Sequence, residues 1–282
     1  MAEEKLVRLN KFISHNSRFS RREADRLIEE GKVSIDGEVI TNLATKVDEH
    51  TIVKVNDRTV RVDRKRAPTV IVYNKQKGEI VSKKDPQGRR IIFDSLAKKF
   101  EHFMPIGRLD YASEGVLLLT DDVNIANSLM HSNLERVYKI KIAGPITEQM
   151  IMSMDKGMML DDATAGAYDG TSITNMEFKP FNGWQIQKNT AKFSTMKVAI
   201  SEGKNRELRR FFAHFDSPIL DLKRVNFGGI ELNNLPSGKT RYLERREYQD
   251  LRNYLKSLIK SEKERFKGDD FNSDDYYEED DY

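Results

Sequence analysis

Gly107-Arg108-Leu109-Asp110-Tyr111-Ala112-Ser113-Glu114-Gly115-Val116-Leu117-Leu118-Leu119-Thr120-Asp121-Asp122 carries most of what the chain says about its fold. The two glycines bracket a loop. Val116 to Leu119 is apolar on both faces, as a central strand must be. Asp121 or Asp122 can then cap a helix running through Met130. Asp110 thus sits on a loop between two rigid elements. By itself a loop aspartate is an ordinary turn or cap residue, and only its surroundings can single it out.

Outward from that stretch, Thr69 to Tyr73 is a β-branched run that predicts a buried strand, with a turn at Lys77-Gly78. Val137 to Ile142 alternates with period two, which puts Tyr138, Ile140 and Ile142 inward and Lys139 and Lys141 in water. In Ser201-Glu-Gly-Lys-Asn-Arg-Glu-Leu-Arg-Arg-Phe-Phe212, Gly203 permits a tight turn and Asn205 is the expected helix cap. Arg206, Arg209 and Arg210 then share one side of a helix whose Leu208, Phe211, Phe212 and Phe215 pack. Lys204 with these arginines, and Lys223 with Arg224 before Gly228-Gly229, are expected to form a phosphate-binding surface, with plain surface arginines as the alternative. From Arg245 to Phe266, Tyr248, Leu251, Leu255 and Leu258 follow a helical period.

Residues 5–62 read as a separate unit. Leu6, Leu9 and Ile13 predict one face of a short helix. Ser20 and Glu23 form a capping box for a second helix with the stripe Ala24, Leu27 and Ile28, stopped by Gly31. Asp36-Gly37 turns a hairpin, and Thr51 to Val55 offers another strand. Lys5, Arg8, Lys11, Arg18, Arg21 and Arg22 are interrupted by no acid. Clustered at a helix N-terminus, such one-signed charge fits a nucleic-acid backbone better than a merely solvated face. Residues 63–68 form a basic linker ending at Pro68.

The overall charge agrees. The chain has 48 Lys plus Arg against 45 Asp plus Glu, but eight of those acids lie in its last fourteen residues, which contain no Lys or Arg. Setting that tail aside leaves 37 acids against 48 basic residues, so residues 1–268 carry +11 and favour a polyanionic partner. The chain has no cysteine, which excludes disulfides, thiolate metal sites and cysteine nucleophiles and fits a cytoplasmic location. Its five histidines are scattered without metal-site spacing, and no run is long enough for a membrane span. No metal and no membrane association are expected, the N-terminus is not that of a signal peptide, and monomer is the default state.

Ser20-Arg-Arg-Glu-Ala24 with Leu27-Ile28, Gly31-Lys-Val33 and Ile35-Asp-Gly37 resembles the small RNA-binding module named after ribosomal protein S-four, and the resemblance spans residues 5–62. Lys32 falls inside it. Gly107-Arg-Leu-Asp110 with Gly115 and the Leu-Leu-Leu-Thr-Asp strand, the Arg136-Val-Tyr138 strand, and Glu202-Gly-Lys-Asn-Arg-Glu-Leu-Arg209 resemble the successive motifs of bacterial ribosomal RNA pseudouridine synthases. The combination is similar to the RsuA/RluB branch. Lys77-Gly-Glu79, Asp85-Pro-Gln-Gly-Arg89 with Phe93-Asp94, and Asn182-Gly-Trp184 look more like its large-subunit type. Ser113, where threonine is common, and Asp122-Val123, in place of Asp-Gly, depart from the pattern.

The resemblance implies a cofactor-free isomerisation of one uridine, in 23S rather than 16S ribosomal RNA. Asp110 corresponds to the essential carboxylate, as nucleophile or as base, Arg209 to its paired cation, and Tyr138 to the ring that stacks on the target base. Arg8, Lys11, Arg18, Arg21, Arg22 and Lys32, and around the cleft Arg108, Lys204, Arg206, Arg210, Lys223 and Arg224, are the expected RNA contacts. The fold expected is α+β. A helix–helix–hairpin module precedes a catalytic domain over 69–266, whose sheet is mixed and mainly antiparallel because the strands are short and the helices too few for βαβ alternation. Residues 267–282 are expected to form an acidic disordered tail. Two rivals stand beside this reading: a non-catalytic RNA-binding assembly factor, which leaves Asp110 and Arg209 without a purpose, and a hydrolase using Asp121/Asp122 or Asp161/Asp162, which adjacent turn aspartates seldom support.

Overall fold

The computed structural model describes residues 6–17, 19–48, 50–60 and 68–269, the last of these as backbone alone from 259 onward. Arg18, linker residues 63–67 and the tail from residue 270 lie outside the described residues. The chain divides into two compact units, 1–68 and 69–282.

In the first unit, α1 (Leu9–Asn16) and α2 (Arg21–Glu29) pack together beside β2 (Val33–Ile35), β3 (Glu38–Val39), β5 (Val53–Val55) and β6 (Arg58–Thr59), while β1 (Val7–Arg8) pairs with β4 (Lys46–Val47). The Ser20/Glu23 capping box opens α2, and Gly31, at φ +67, follows its end. Asp36 and Gly37 have φ of 49 and 99, the pair of positive values that a two-residue hairpin of matching twist requires. One expectation fails here. Leu6 is exposed and precedes α1, because Val7 and Arg8 are held extended against β4. The buried face of α1 is Leu9, Phe12 and Ile13.

The second unit is built on one sheet. Its strands are β7 (Val70–Lys75), β8 (Met104–Pro105), β9 (Glu114–Thr120), β10 (Arg136–Ala143), β13 (Gly183–Lys188), β14 (Phe193–Ile200), β15 (Ile219–Phe227), β16 (Ile230–Glu231) and β17 (Thr240–Tyr242). The order is β13-β14-β10-β15-β9-β7-β17, with β16 added to β15 and β8 to β9. Every pairing is antiparallel except β9 with β15. A separate two-stranded pair joins β11 (Met158–Leu160) to β12 (Met176–Phe178), and the helices are α3 (Val123–Met130), α4 (Glu148–Lys156), α5 (Glu207–His214) and α6 (Arg245–Asp269).

Two apolar layers explain the sequence pattern. Ile71, Tyr73, Leu117 and Leu119 join Tyr138, Ile140, Phe211 and Phe212 on one face of the sheet. Val70, Val72, Val116 and Leu118 join Ala126, Leu129, Phe227 and Leu251 on the other. Strands β7 and β9 are covered on both faces and therefore read as unbroken apolar runs, whereas β10 is covered on one and alternates. Gly115, at φ +107, permits the parallel contact: a Cβ there would lie 2.0 Å from the carbonyl oxygen of Arg224. Asp122 caps α3 by accepting from Ile125 N–H. At α5 the expected cap is displaced. Arg206 occupies the N-cap in a left-handed conformation without a side-chain cap bond, and Asn205 instead accepts from Arg210.

Candidate active site

A cleft of about 1100 Å³ opens in the second unit and is lined by Asp110, Tyr138, Arg206 and Arg209 among others. Four elements deliver these groups. The loop before β9 carries Asp110, β10 carries Tyr138, and the N-terminal turn of α5 carries Arg206 and Arg209. The irregular segment between β11 and β12 adds Tyr168, which the sequence reading overlooked.

The carboxylate of Asp110 is held at both oxygens. Arg209 Nε donates to Oδ2 at 3.2 Å and Arg206 Nη1 approaches the same oxygen at 3.5 Å, while the Tyr168 hydroxyl donates to Oδ1 at 3.0 Å. Arg209 is itself locked, because Nη2 donates to Ser113 Oγ at 3.2 Å and Nη1 to the Ile219 carbonyl at 3.4 Å. The side chains of Arg209 and Asp110 are only 11% and 22% exposed, so this pair meets in a partly dry setting where charge attraction is less screened than on the surface. Tyr138 stands on the cleft-lining face of β10 with 7% of its surface exposed.

The Asp110 loop is fastened from below by Lys75, which sequence reasoning also missed. This fully buried lysine ends β7, and its Nζ donates to the carbonyls of Gln76, Asp110 and Ser113 at 2.8, 3.1 and 2.9 Å. Burial pushes its ammonium down to about 8, against the pull of nearby Glu79, Asp110 and Glu114. The signal was a lysine at the end of a strand that opens on the apolar run Val70 to Tyr73. Tyr168 had none, since its segment has no periodicity. A further buried acid, Glu207, lines the cleft wall. Desolvation pushes it up to about 7, against a hydrogen bond from Lys204 N–H.

The expected RNA-contacting residues separate into groups. Arg108 is exposed on the cleft wall. Lys204 is engaged by Glu202 at 2.8 Å and by the Glu177 carbonyl at 2.7 Å, and Lys223 lies 3.8 Å from Glu114. Arg206 is turned inward, with Nε on the Gly166 carbonyl. Two expectations are overturned. Arg210 is completely buried, donating to the carbonyls of Ala163, Ile173 and Asn205 and to the Thr171 hydroxyl. Arg224 is 3% exposed, its Nε on the Val116 carbonyl and its guanidinium over the Phe227 ring. Neither presents a phosphate-binding surface, because Arg210 is spent on interior carbonyls and Arg224 is enclosed between the Val116 carbonyl and the Phe227 ring. In the first unit Arg8, Arg21 and Arg22 are exposed, Lys11 is partly covered, and Lys32 pairs with Glu30 at 2.7 Å. Three of the four rival aspartates have structural uses: Asp121 accepts from Thr69 N–H, Asp122 caps α3, and Asp162 accepts from Thr164. Among the described residues no group of three or more His, Asp or Glu could hold a metal ion, and no helix is long and apolar enough to cross a membrane.

Comparison with known proteins adds an independent line. Residues 69–214 match the model of a family described as RNA pseudouridylate synthase, and residues 7–53 match the S4 domain. An uncharacterized RNA pseudouridine synthase of Helicobacter pylori is 49% identical over 249 residues, spanning 88% of this chain and 95% of that protein. The ribosomal large subunit pseudouridine synthase B of Bacillus subtilis is 34% identical over 250 residues, spanning 88% and 96%. A crystal structure of a pseudouridylate synthase shares the fold, with a TM-score of 0.58 at 23% identity over 87% of this chain and 99% of that one.

Proposed function

Because the chain belongs to the RNA pseudouridylate synthase family and carries an S4 domain ahead of its catalytic unit, we propose that it isomerises one uridine of large-subunit ribosomal RNA, with Asp110 as the essential carboxylate, Arg209 as its partner and Tyr138 as the ring that receives the base. The relatives named for the large ribosomal subunit support the substrate. The carboxylate gripped by two guanidiniums in a cleft beside a tyrosine ring supports the assignment of the residues.

The reaction breaks N1–C1′ and joins C5 to C1′. C5 gives up a proton and N1 gains one, so atoms and electrons balance within the nucleotide. An ionised carboxylate suits either attack at the sugar or removal of a sugar proton. Burial alone would disfavour its charge, and Arg209 and Arg206 offset that. Tyr138 presents a ring face for the released base, which must stay bound while it turns. The target uridine has to leave its stack, at a cost of roughly a few kcal/mol, and the grip on flanking RNA supplies that energy. The S4 unit, with its exposed arginines, is a second grip on the same molecule and raises the effective concentration of the uridine at the cleft.

Ribosomal RNA from a strain lacking the gene, complemented with wild type or Asp110→Asn, tests both parts. We expect one pseudouridine of 23S RNA to vanish and to return only with wild type. Restoration by Asp110→Asn would remove the carboxylate from the mechanism. A missing modification in 16S RNA would reassign the substrate.

A further inference from the structure

The segment between β11 and β12 contains no helix or strand, yet α5 fastens it at several points. Arg210 holds Ala163, Thr171 and Ile173, and Arg206 Nε holds the Gly166 carbonyl at 2.6 Å. Gly166, at φ +74, lies so close to the helix backbone that a Cβ would fall 2.4 Å from the carbonyl oxygen of Arg209. A fully buried arginine spent on pinning an irregular segment implies that something on the segment must be placed accurately.

That something is Tyr168. Its ring is 52% exposed and lies under the Arg206 guanidinium, whose carbon is 4.3 Å from the ring centre. Packing does not account for a large half-exposed ring held so firmly. Its hydroxyl does, because it reaches Asp110 Oδ1, the oxygen that neither Arg209 nor Arg206 binds.

We propose that Tyr168 is a positioning residue of the isomerisation: with the guanidiniums on Oδ2, its hydroxyl fixes the rotation of the Asp110 carboxylate and sets Oδ1 toward the ribose. This rests on Asp110 being the essential carboxylate. A carboxylate held from one side alone can turn about its Cβ–Cγ bond, while two kinds of donor on its two oxygens define a plane. Oδ1 keeps a lone pair beyond the one Tyr168 occupies, so the hydroxyl orients the oxygen without consuming it. Arg210 thereby acts at one remove, on the loop that delivers the hydroxyl, while Arg206 acts both on that loop and on Oδ2.

Tyr168→Phe keeps the ring and its contact with Arg206 and deletes one oxygen. On an RNA stem-loop containing the target uridine, kcat is expected to fall about ten-fold, as for one hydrogen bond to a charged group, with KM within two-fold of wild type. A purely structural residue would instead lower the melting temperature and the folded fraction, with kcat per folded molecule unchanged. An unchanged kcat would overturn the proposal. So would a lowered KM at unchanged kcat, which would make Tyr168 a plug that substrate displaces. Asp110→Asn assayed beside it separates the two levels. If that variant is inactive while Tyr168→Phe behaves as wild type, only the tyrosine's role falls; if Asp110→Asn is active, both fall.

Discussion

The two units use arginine in opposite ways. In the first, Arg8, Arg21 and Arg22 stand exposed at the start of the two helices. In the second, Arg136, Arg210 and Arg224 are buried, and each donates to main-chain carbonyls: Ser201, Leu134 and Ser132 for Arg136, Ala163, Ile173 and Asn205 for Arg210, Val116 for Arg224. A guanidinium offers five N–H groups in a rigid fork, which suits phosphate oxygens and carbonyl oxygens alike. Which of them it binds depends on whether the chain folds irregular backbone around it. Clustered arginines are therefore an exposed basic surface in one unit and loop scaffolding in the other.

Arg210→Ala should break the scaffold most severely. It strands three carbonyls and a hydroxyl in the interior, so stability should fall by about 3 kcal/mol or more, measured by urea unfolding of the whole chain. Arg210→Lys should not restore it, because a single ammonium cannot replace the fork. A stable Arg210→Ala protein with weakened RNA binding would return Arg210 to the surface class and erase the contrast.

Carboxylates sharpen the same comparison. In the first unit Asp48 is held below its ordinary range, chiefly by the Thr51 hydroxyl. In the second, Glu207 is pushed up to about 7 by burial. A folded-state acid raised from 4.5 to about 7 binds more protons than the unfolded chain between those values. Its contribution is thus present at low pH and lost as pH rises from about 4.5 through about 7, up to roughly 3 kcal/mol. Glu207→Gln should remove that decline, read as a flatter dependence of unfolding free energy on pH from 4 to 8. An unaltered slope would show that another group is responsible.

The smallest effect on stability belongs to the exposed side. Arg21→Ala with Arg22→Ala should change unfolding free energy by no more than about 0.5 kcal/mol. RNA affinity should weaken at low salt, and the slope of log affinity against log salt should shrink by about 0.7 to 0.9 for each phosphate no longer neutralised. An unchanged slope would take these two residues out of the RNA interface.

Much of this architecture was legible in the sequence, for identifiable reasons. The capping box, the Asp36-Gly37 hairpin and the β7, β9 and β10 patterns are local, and each depends on residues within one element. Asp110, Tyr138 and Arg209 were singled out only by the resemblance of their segments to a family's successive motifs, and they do line one cleft. What escaped was non-local. Whether Arg210 faces water depends on a segment 37 to 47 residues away, Tyr168 reaches Asp110 across 58 residues, and Lys75 answers carbonyls 35 and 38 residues on. Leu6 failed for a similar reason, since an extended pairing with β4 overrides its helical period.

The single parallel pairing in the sheet, β9 beside β15, sets an order on the birth of the protein. Such a ladder closes only after both strands exist, and Asp110 finds Arg209 across 99 residues of chain. The S4 unit is complete by about residue 60, whereas β15 ends at Phe227. At about 5–20 residues per second, roughly ten to thirty seconds of synthesis separate the two. During that interval the nascent chain has its N-terminal RNA grip and lacks a cleft. Modification chemistry is the last property it acquires, and truncation between the end of the first unit and β15 leaves the S4 unit whole and the cleft unbuilt.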